Sequence, residues 1–333
     1  FDARWCVGYS SAKSRKVRKN AMCLIVPLLL FAGLLLGAYL LTPRRERLSL
    51  REFAGDDRFV QVQGYAIHYQ DDGPADAPTV VLVHGFGAWA FTWRAQRRAL
   101  LAAGYRVITT DQIGYGASAR PAGPVYTTEL QATLLAGALD ALGVRAAHFV
   151  GHSFGGRVAM QLALDDPARV RSLVVLAPEA FASMRPPIAR LVDLPVLGYA
   201  LAFYSTAPRL VRPGLRFVSK AHAWLTEDVV QGYAAPVAVR GTTLAQVWQA
   251  RSPKDSDPAR AVPARLRELG QRTLVIWGAA DPVFPVADAH RLLGMLPNAT
   301  LRVIEGSGHL PHEEYEPATT AAILEFLRAT TDD

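Results

Sequence analysis

The sequence predicts an α/β domain with a mostly parallel sheet of eight strands, helices on both faces and an inserted helical cap, preceded by one transmembrane helix. Three observations carry that expectation. Short β-branched runs alternate with helical stretches from about residue 58; the alternation stops after Leu176 and resumes at Thr273; and residues 21–41 hold no charge. Parallel strands covered by crossover helices account for the first, an insertion for the second, and a lipid-facing helix for the third.

The chain has 333 residues, 50% hydrophobic, and a formal net charge of +7. That charge is concentrated at one end. Residues 1–20 form a basic segment with six Lys/Arg against Asp2, and Arg44, Arg45, Arg47 and Arg51 stand against Glu46 within residues 42–51. These blocks contribute +5 and +3, which leaves −1 for residues 52–333. A nearly neutral body offers no broad phosphate-binding surface, so no nucleic acid is expected as a partner.

Residues 21–41, AMCLIVPLLLFAGLLLGAYLL, are 21 in number and long enough to span a hydrocarbon core. The run is longer than a signal-peptide core, and no clear small-x-small cleavage site precedes the arginines, so an uncleaved membrane anchor is expected. Basic residues ahead of it would keep the N-terminus in the cytoplasm of a bacterial cell and export the body to the periplasm. A translation start at Met22 would reverse this, because the arginines after the span would then hold the body on the cytoplasmic side. Cys6 and Cys23 are the two cysteines, both in or before the anchor, so the body has no disulfide and no cysteine metal site.

Residues 42–57 read as a short linker. The expected strands of the core, 58–178 and 271–333, are 59–62, 65–69, 79–83, 105–109, 147–150, 172–176, 273–276 and 300–304. Uninterrupted runs such as VVLV in 80–83 suit strands buried on both faces. Residues 179–270 are proline-punctuated, apolar and aromatic, with Phe181, Met184, Phe203, Tyr204, Phe217, Trp224, Tyr233 and Trp248. They read as a helical cap whose aromatics mostly form its own core.

Gly151-His152-Ser153-Phe154-Gly155 lies between the strand-like AAHFV and the helix-like GGRVAMQLALDD. Ser153 therefore falls on a sharp strand-to-helix turn, with glycines two residues to either side to relieve crowding. A serine hydroxyl in such a turn needs a base within reach and a carboxylate to orient the base. This turn, the His84-Gly85-Phe86-Gly87 stretch and the segment GSGHLPHEE near the end of the chain together resemble the α/β-hydrolase superfamily, in its cap-bearing serine esterase/lipase branch. They are similar also to the meta-cleavage-product carbon–carbon hydrolases. The likeness runs over roughly residues 60–328.

The resemblance implies Ser153 as nucleophile, His309 as base and Asp281 as the orienting acid, in the family's chain order. It implies an oxyanion hole made by the backbone N–H groups of Phe86 and Phe154. His84 and Asp111 would be structural, and His312 a decoy three residues beyond His309. Glu179, just past the sixth strand, is the rival acid, at a position some relatives use. No metal or organic cofactor is implied. The expected reaction is acyl transfer to water on a hydrophobic small-molecule ester, such as a monoacylglycerol, near the membrane that holds the N-terminal helix. Two alternatives stand beside it: carbon–carbon hydrolysis of the meta-cleavage type, and a non-catalytic ligand-binding protein on the same fold.

Overall fold

The computed structural model describes residues 26–55, 58–181 and 187–331. The basic segment 1–20, Met22 and both cysteines lie outside the described residues. The first described element, α1 (Val26–Arg45), is a helix of 20 residues with a mean hydropathy of 1.9, long and apolar enough to cross a membrane. A short helix, α2 (Leu50–Ala54), follows, opened by a capping box in which Ser49 and Glu52 satisfy each other's backbone N–H groups.

The sheet then begins with the hairpin β1 (Arg58–Val62) and β2 (Tyr65–Asp72), joined at Gln63-Gly64, both with positive φ, as a tight two-residue hairpin turn requires. From β3 (Thr79–Val83) onward strands and helices alternate: α3 (Arg94–Ala102), β4 (Arg106–Thr110), α4 (Thr128–Ala141), β5 (Ala147–His152), α5 (Phe154–Asp165) and β6 (Val170–Leu176). The cap contributes α6 (Pro195–Ser205), α7 (Pro208–Val218), α8 (Glu227–Ala234) and α9 (Thr242–Arg251). A short α10 (Val262–Arg265) leads back to β7 (Thr273–Gly278), α11 (Val286–Leu293), β8 (Ala299–Ile304), α12 (Pro311–Glu314) and α13 (Glu316–Thr331).

The strand order is β1-β2-β4-β3-β5-β6-β7-β8. β2 runs antiparallel to both β1 and β4, and the remaining neighbours are parallel. All eight expected strands are present, most extended by one to three residues. β3, β5 and β7 are buried along their whole length, because apolar layers cover both faces. One layer joins α4, α5 and α11 around Phe149, Met160 and Trp277; the other joins α3 and α13 around Trp93, Leu100 and Phe326.

Order reverses between β3 and β5: the chain leaves β3 for β4 on one side and returns to β5 on the other. In open α/β sheets the crevice at the carboxyl ends of such a pair is where ligands bind. Here that crevice is formed by the loop after β3, carrying His84 to Gly87, and the turn after β5, carrying Ser153.

Two details depart from a simple core-plus-cap division. Val262, Leu266 and Leu269, within the segment expected as cap, pack into the main core cluster. Residues 42–50, expected as linker, dock on the cap: Leu48 bridges Val239, and the carboxylate of Glu46 accepts the N–H groups of Gly241 and Thr243, each at 2.8 Å. The helix α1 joins this contact, with Tyr39 stacked on Tyr199 at 4.3 Å and the Tyr204 hydroxyl donating to the Leu34 carbonyl at 2.9 Å.

Candidate functional site

Ser153 stands between β5 and α5 with φ 51° and ψ −120°, a conformation unusual for a side-chain-bearing residue. The strain persists because its surroundings fix it. Its N–H donates to the Leu176 carbonyl at 2.9 Å, and its own carbonyl accepts from Glu179 at 3.1 Å. A Cβ on Gly155 would come within 2.3 Å of the carbonyl oxygens of Val83 and His84, so α5 can approach the β3 loop only with glycine there. Likewise a Cβ on Gly85 would sit 2.8 Å from His152 Nδ1 and 3.0 Å from Ser153 Cβ. The loop after β3 is thus held against the serine.

His309 meets Ser153 from the loop after β8. Its Nε2 lies 3.1 Å from Ser153 Oγ, and its Nδ1 lies 2.8 Å from Asp281 Oδ2. A proton on Nδ1 donated to the carboxylate leaves Nε2 as an acceptor facing the hydroxyl. Asp281 is held by its other oxygen, which accepts from the N–H groups of Val283 at 2.7 Å and Phe284 at 3.0 Å. The histidine backbone is pinned on both sides: its N–H donates to Val218 O at 2.8 Å, and its carbonyl accepts from His152 Nε2 at 2.8 Å. Burial, followed by the neighbouring His312 and His309, keeps the His152 imidazole well below the usual histidine range, so it serves as a neutral donor.

Phe86 and Phe154 flank the serine, and among the described residues neither backbone N–H is taken by a protein acceptor. The N–H of Phe154 opens α5, where helical geometry leaves it without an intrahelical partner. Two free donors and a helix N-terminus beside Ser153 favour negative charge at that point. The arrangement can therefore move a proton from Oγ to Nε2 and receive an oxyanion.

The other candidates fall elsewhere. Both ring nitrogens of His309 are already occupied, and the Glu179 carboxylate instead faces Lys254 Nζ at 3.3 Å. His84 donates through Nδ1 to Gly85 O and accepts the Gln112 N–H at Nε2, which fixes its loop. Asp111 accepts from Ala90, Ala117 and His68; burial alone would raise its pKa, but His68 first, then His84 and the Ala117 N–H, hold it down at about 2. His312 bonds Thr92 Oγ1 at 2.9 Å, and burial above all lowers it to about 3. No group of three or more His, Cys, Asp or Glu side chains suited to a metal ion occurs among the described residues.

A family model described as the alpha/beta hydrolase fold matches residues 78–315. The chain belongs to the α/β-hydrolase family. This hydrolase is 32% identical over 288 residues to the 2-hydroxy-6-oxononadienedioate/2-hydroxy-6-oxononatrienedioate hydrolase of Cupriavidus pinatubonensis, covering 82% of this chain and 96% of that one. It is 30% identical over 273 residues to the 2-hydroxy-6-oxo-6-phenylhexa-2,4-dienoate hydrolase of Burkholderia cepacia, covering 80% and 92% of the two chains. Among solved structures, a membrane phospholipase A described as a bacterial virulence factor superposes with a TM-score of 0.68 at 26% identity, covering 95% of this chain and all of that one. That match leaves about 17 of 333 residues uncovered, fewer than the 20 of α1, so it reaches into the N-terminal helix.

Beside the hydrolase site lies a cavity of about 630 Å³ between α6, α7, α8 and α9. Its lining is apolar with a few hydroxyl and amide groups and no charged side chain; Leu201, Leu210, Leu215 and Val237 are typical. Phe86, Gly87 and Val218 form part of its wall, which brings it to the loop after β3 and to the carbonyl that holds His309. Sequence reasoning missed the polar groups around this end. Tyr233, on the cavity wall, donates to Glu313 at 2.7 Å, and Glu313 makes a two-pronged pair with Arg94. Glu314 accepts from Lys220 and Ala221 after α7 and from Gly308 and Leu310 around His309. Their signal was present only as the acidic pair after His312, with nothing local to name its partners.

Proposed function

We propose that this hydrolase cleaves carboxylic esters with a long apolar acyl arm at a membrane surface. The observation that carries the reading is the continuous Asp281–His309–Ser153 hydrogen-bond chain beside an uncharged, largely apolar cavity. In this reading His309 takes the proton of Ser153 as Oγ attacks the ester carbonyl, and the N–H groups of Phe86 and Phe154 receive the oxyanion. His309 then protonates the departing alcohol, and water, deprotonated by the same imidazole, releases the acid from the acyl-enzyme. Asp281 keeps the imidazole in the required tautomer. Helix α1 would hold the body at the bilayer, with its side of the membrane set by the basic residues flanking the span. The likeness to a membrane phospholipase A, which extends into α1, supports a lipid ester as substrate.

A second reading, hydrolysis of a carbon–carbon bond in a dienoate, has the more direct support of the curated relatives named above. It would use the same three side chains. The cavity wall carries no charged side chain, which suits an apolar acyl arm, whereas the carboxylate of a dienoate would look to Lys254, whose Nζ lies 5.6 Å and 4.5 Å from the ring centres of Phe86 and Phe154.

The test is a panel of monoacylglycerols, p-nitrophenyl esters of increasing chain length and a meta-cleavage dienoate, run on the full chain in detergent. Turnover that rises with acyl length and vanishes in Ser153→Ala supports the ester reading. Preference for the dienoate would establish the second, and activity retained by Ser153→Ala would sink both.

A further inference from the structure

A groove of about 340 Å³ lies where α1 ends, lined by Arg44, Arg45 and Arg47 and, from the cap, by Pro208, Gln231, Ala234, Ala235, Val237 and Ala238. The three arginines are not equivalent. Arg45 is spent on the fold: it donates to Phe203 O and Thr243 Oγ1, its guanidinium lies 3.8 Å from the Phe203 ring centre, and Glu46 is 3.6 Å away. Arg44 and Arg47 are exposed, and among the described residues neither side chain has an acidic partner. The cap residues that line the groove carry no charge. Two free guanidinium groups over an uncharged, mostly apolar wall suit a ligand with an anionic head and an apolar body.

Position narrows the ligand further. The arginines sit at the polar end of a membrane-length helix, which is the depth of lipid head groups when that helix spans a bilayer. Val237 is a wall of this groove and also of the large apolar cavity, and Pro208 opens α7, whose Leu210 and Val211 line that cavity. Head-group depth and acyl cavity therefore adjoin at Val237.

We propose that Arg44 and Arg47 form a binding site for the phosphate of an anionic membrane lipid, whose acyl chain runs past Val237 toward the cavity. The site deepens the ester reading, since it would select phosphate-bearing lipids among the candidate substrates, yet it can be tested without turnover. Full-length Ser153→Ala in non-ionic detergent is titrated with a short-chain lysophosphatidylglycerol and with the monoacylglycerol of the same chain. The phosphate-bearing lipid should bind about tenfold more tightly, and the advantage should disappear in the added Arg44→Gln/Arg47→Gln variant and shrink at high salt. Equal binding of the two lipids, or an advantage that survives both substitutions, overturns the proposal. Inorganic phosphate binding as tightly as the lipid would overturn the lipid assignment. A chain with Ser153 intact that turns over no ester, while the binding preference holds, would sink the ester reading and leave the arginine site standing.

Discussion

At the scale of single residues, the site depends on which carboxylate faces His309. Asp281 lies 2.8 Å from Nδ1 while Glu179 is turned toward Lys254, so the two acids should respond differently to loss of charge. Asp281→Asn keeps the shape but lets the amide donate, which would favour the tautomer with its proton on Nε2 and remove the acceptor that Ser153 needs. Ester turnover should fall by about 10³–10⁴-fold. Glu179→Gln should change it by less than about threefold, with folding unchanged by circular dichroism. A large loss in Glu179→Gln with Asp281→Asn nearly intact would reverse the assignment. The sequence brought Ser153 forward by a local pattern, a glycine-flanked serine between strand and helix, whereas Asp281 after TLVIW and His309 in its glycine-rich loop were candidates through the resemblance to the hydrolase family.

At the scale of elements, the strands were legible one by one, and the cap only as a helical insertion without its helix boundaries. VVLV and TLVIW are apolar without alternation because helices cover both faces of the sheet, and that burial leaves an unmistakable run. The cap helices are separated by prolines and carry aromatics without a single period, so their ends could not be drawn; Phe217, grouped with the cap core by composition, is in fact 72% exposed. Least legible was the link between cap and site, because its partners are distant in sequence. The Glu314 carboxylate gathers N–H groups from residues 220 and 221 at the end of the cap helix α7 and from residues 308 and 310 around His309. Glu314 is thus a positioning residue that ties the cap to the histidine loop. Glu314→Gln replaces one acceptor oxygen by a donor that opposes these N–H groups. We expect kcat to fall by about 10–100-fold with KM for a small ester little changed and the fold retained. Unaltered kcat in a folded variant would show that the loop keeps its geometry without the clamp.

At the scale of the whole molecule, the N-terminal helix and the cap behave as one packed unit. Tyr39, Thr42 and Arg45 engage α6, while Glu46 reaches the start of α9, whose own N-cap, Gly241, has no side chain to offer. Glu46, one residue past α1, thereby supplies the cap with the acceptor it lacks, and the cap is fastened to the end of the N-terminal helix. Glu46→Ala tests this coupling. It would leave the N–H groups of Gly241 and Thr243 without an acceptor and Arg45 without its carboxylate neighbour, a loss of about 1–3 kcal/mol. Because these contacts lie in the cap, the damage should be local. Limited proteolysis of the detergent-solubilised chain should cut faster between residues 236 and 245, and the thermal midpoint should fall by several degrees. Hydrolysis of a small p-nitrophenyl ester should stay within about threefold of the parent, because the cap contacts that hold the His309 loop, from Val218 and through Glu314, are not among those Glu46 makes, while hydrolysis of a long-chain ester should drop further as the cavity loosens. Equal losses on both esters would mean that the anchor contact supports the core as much as the cap, and that the two do not form separable units.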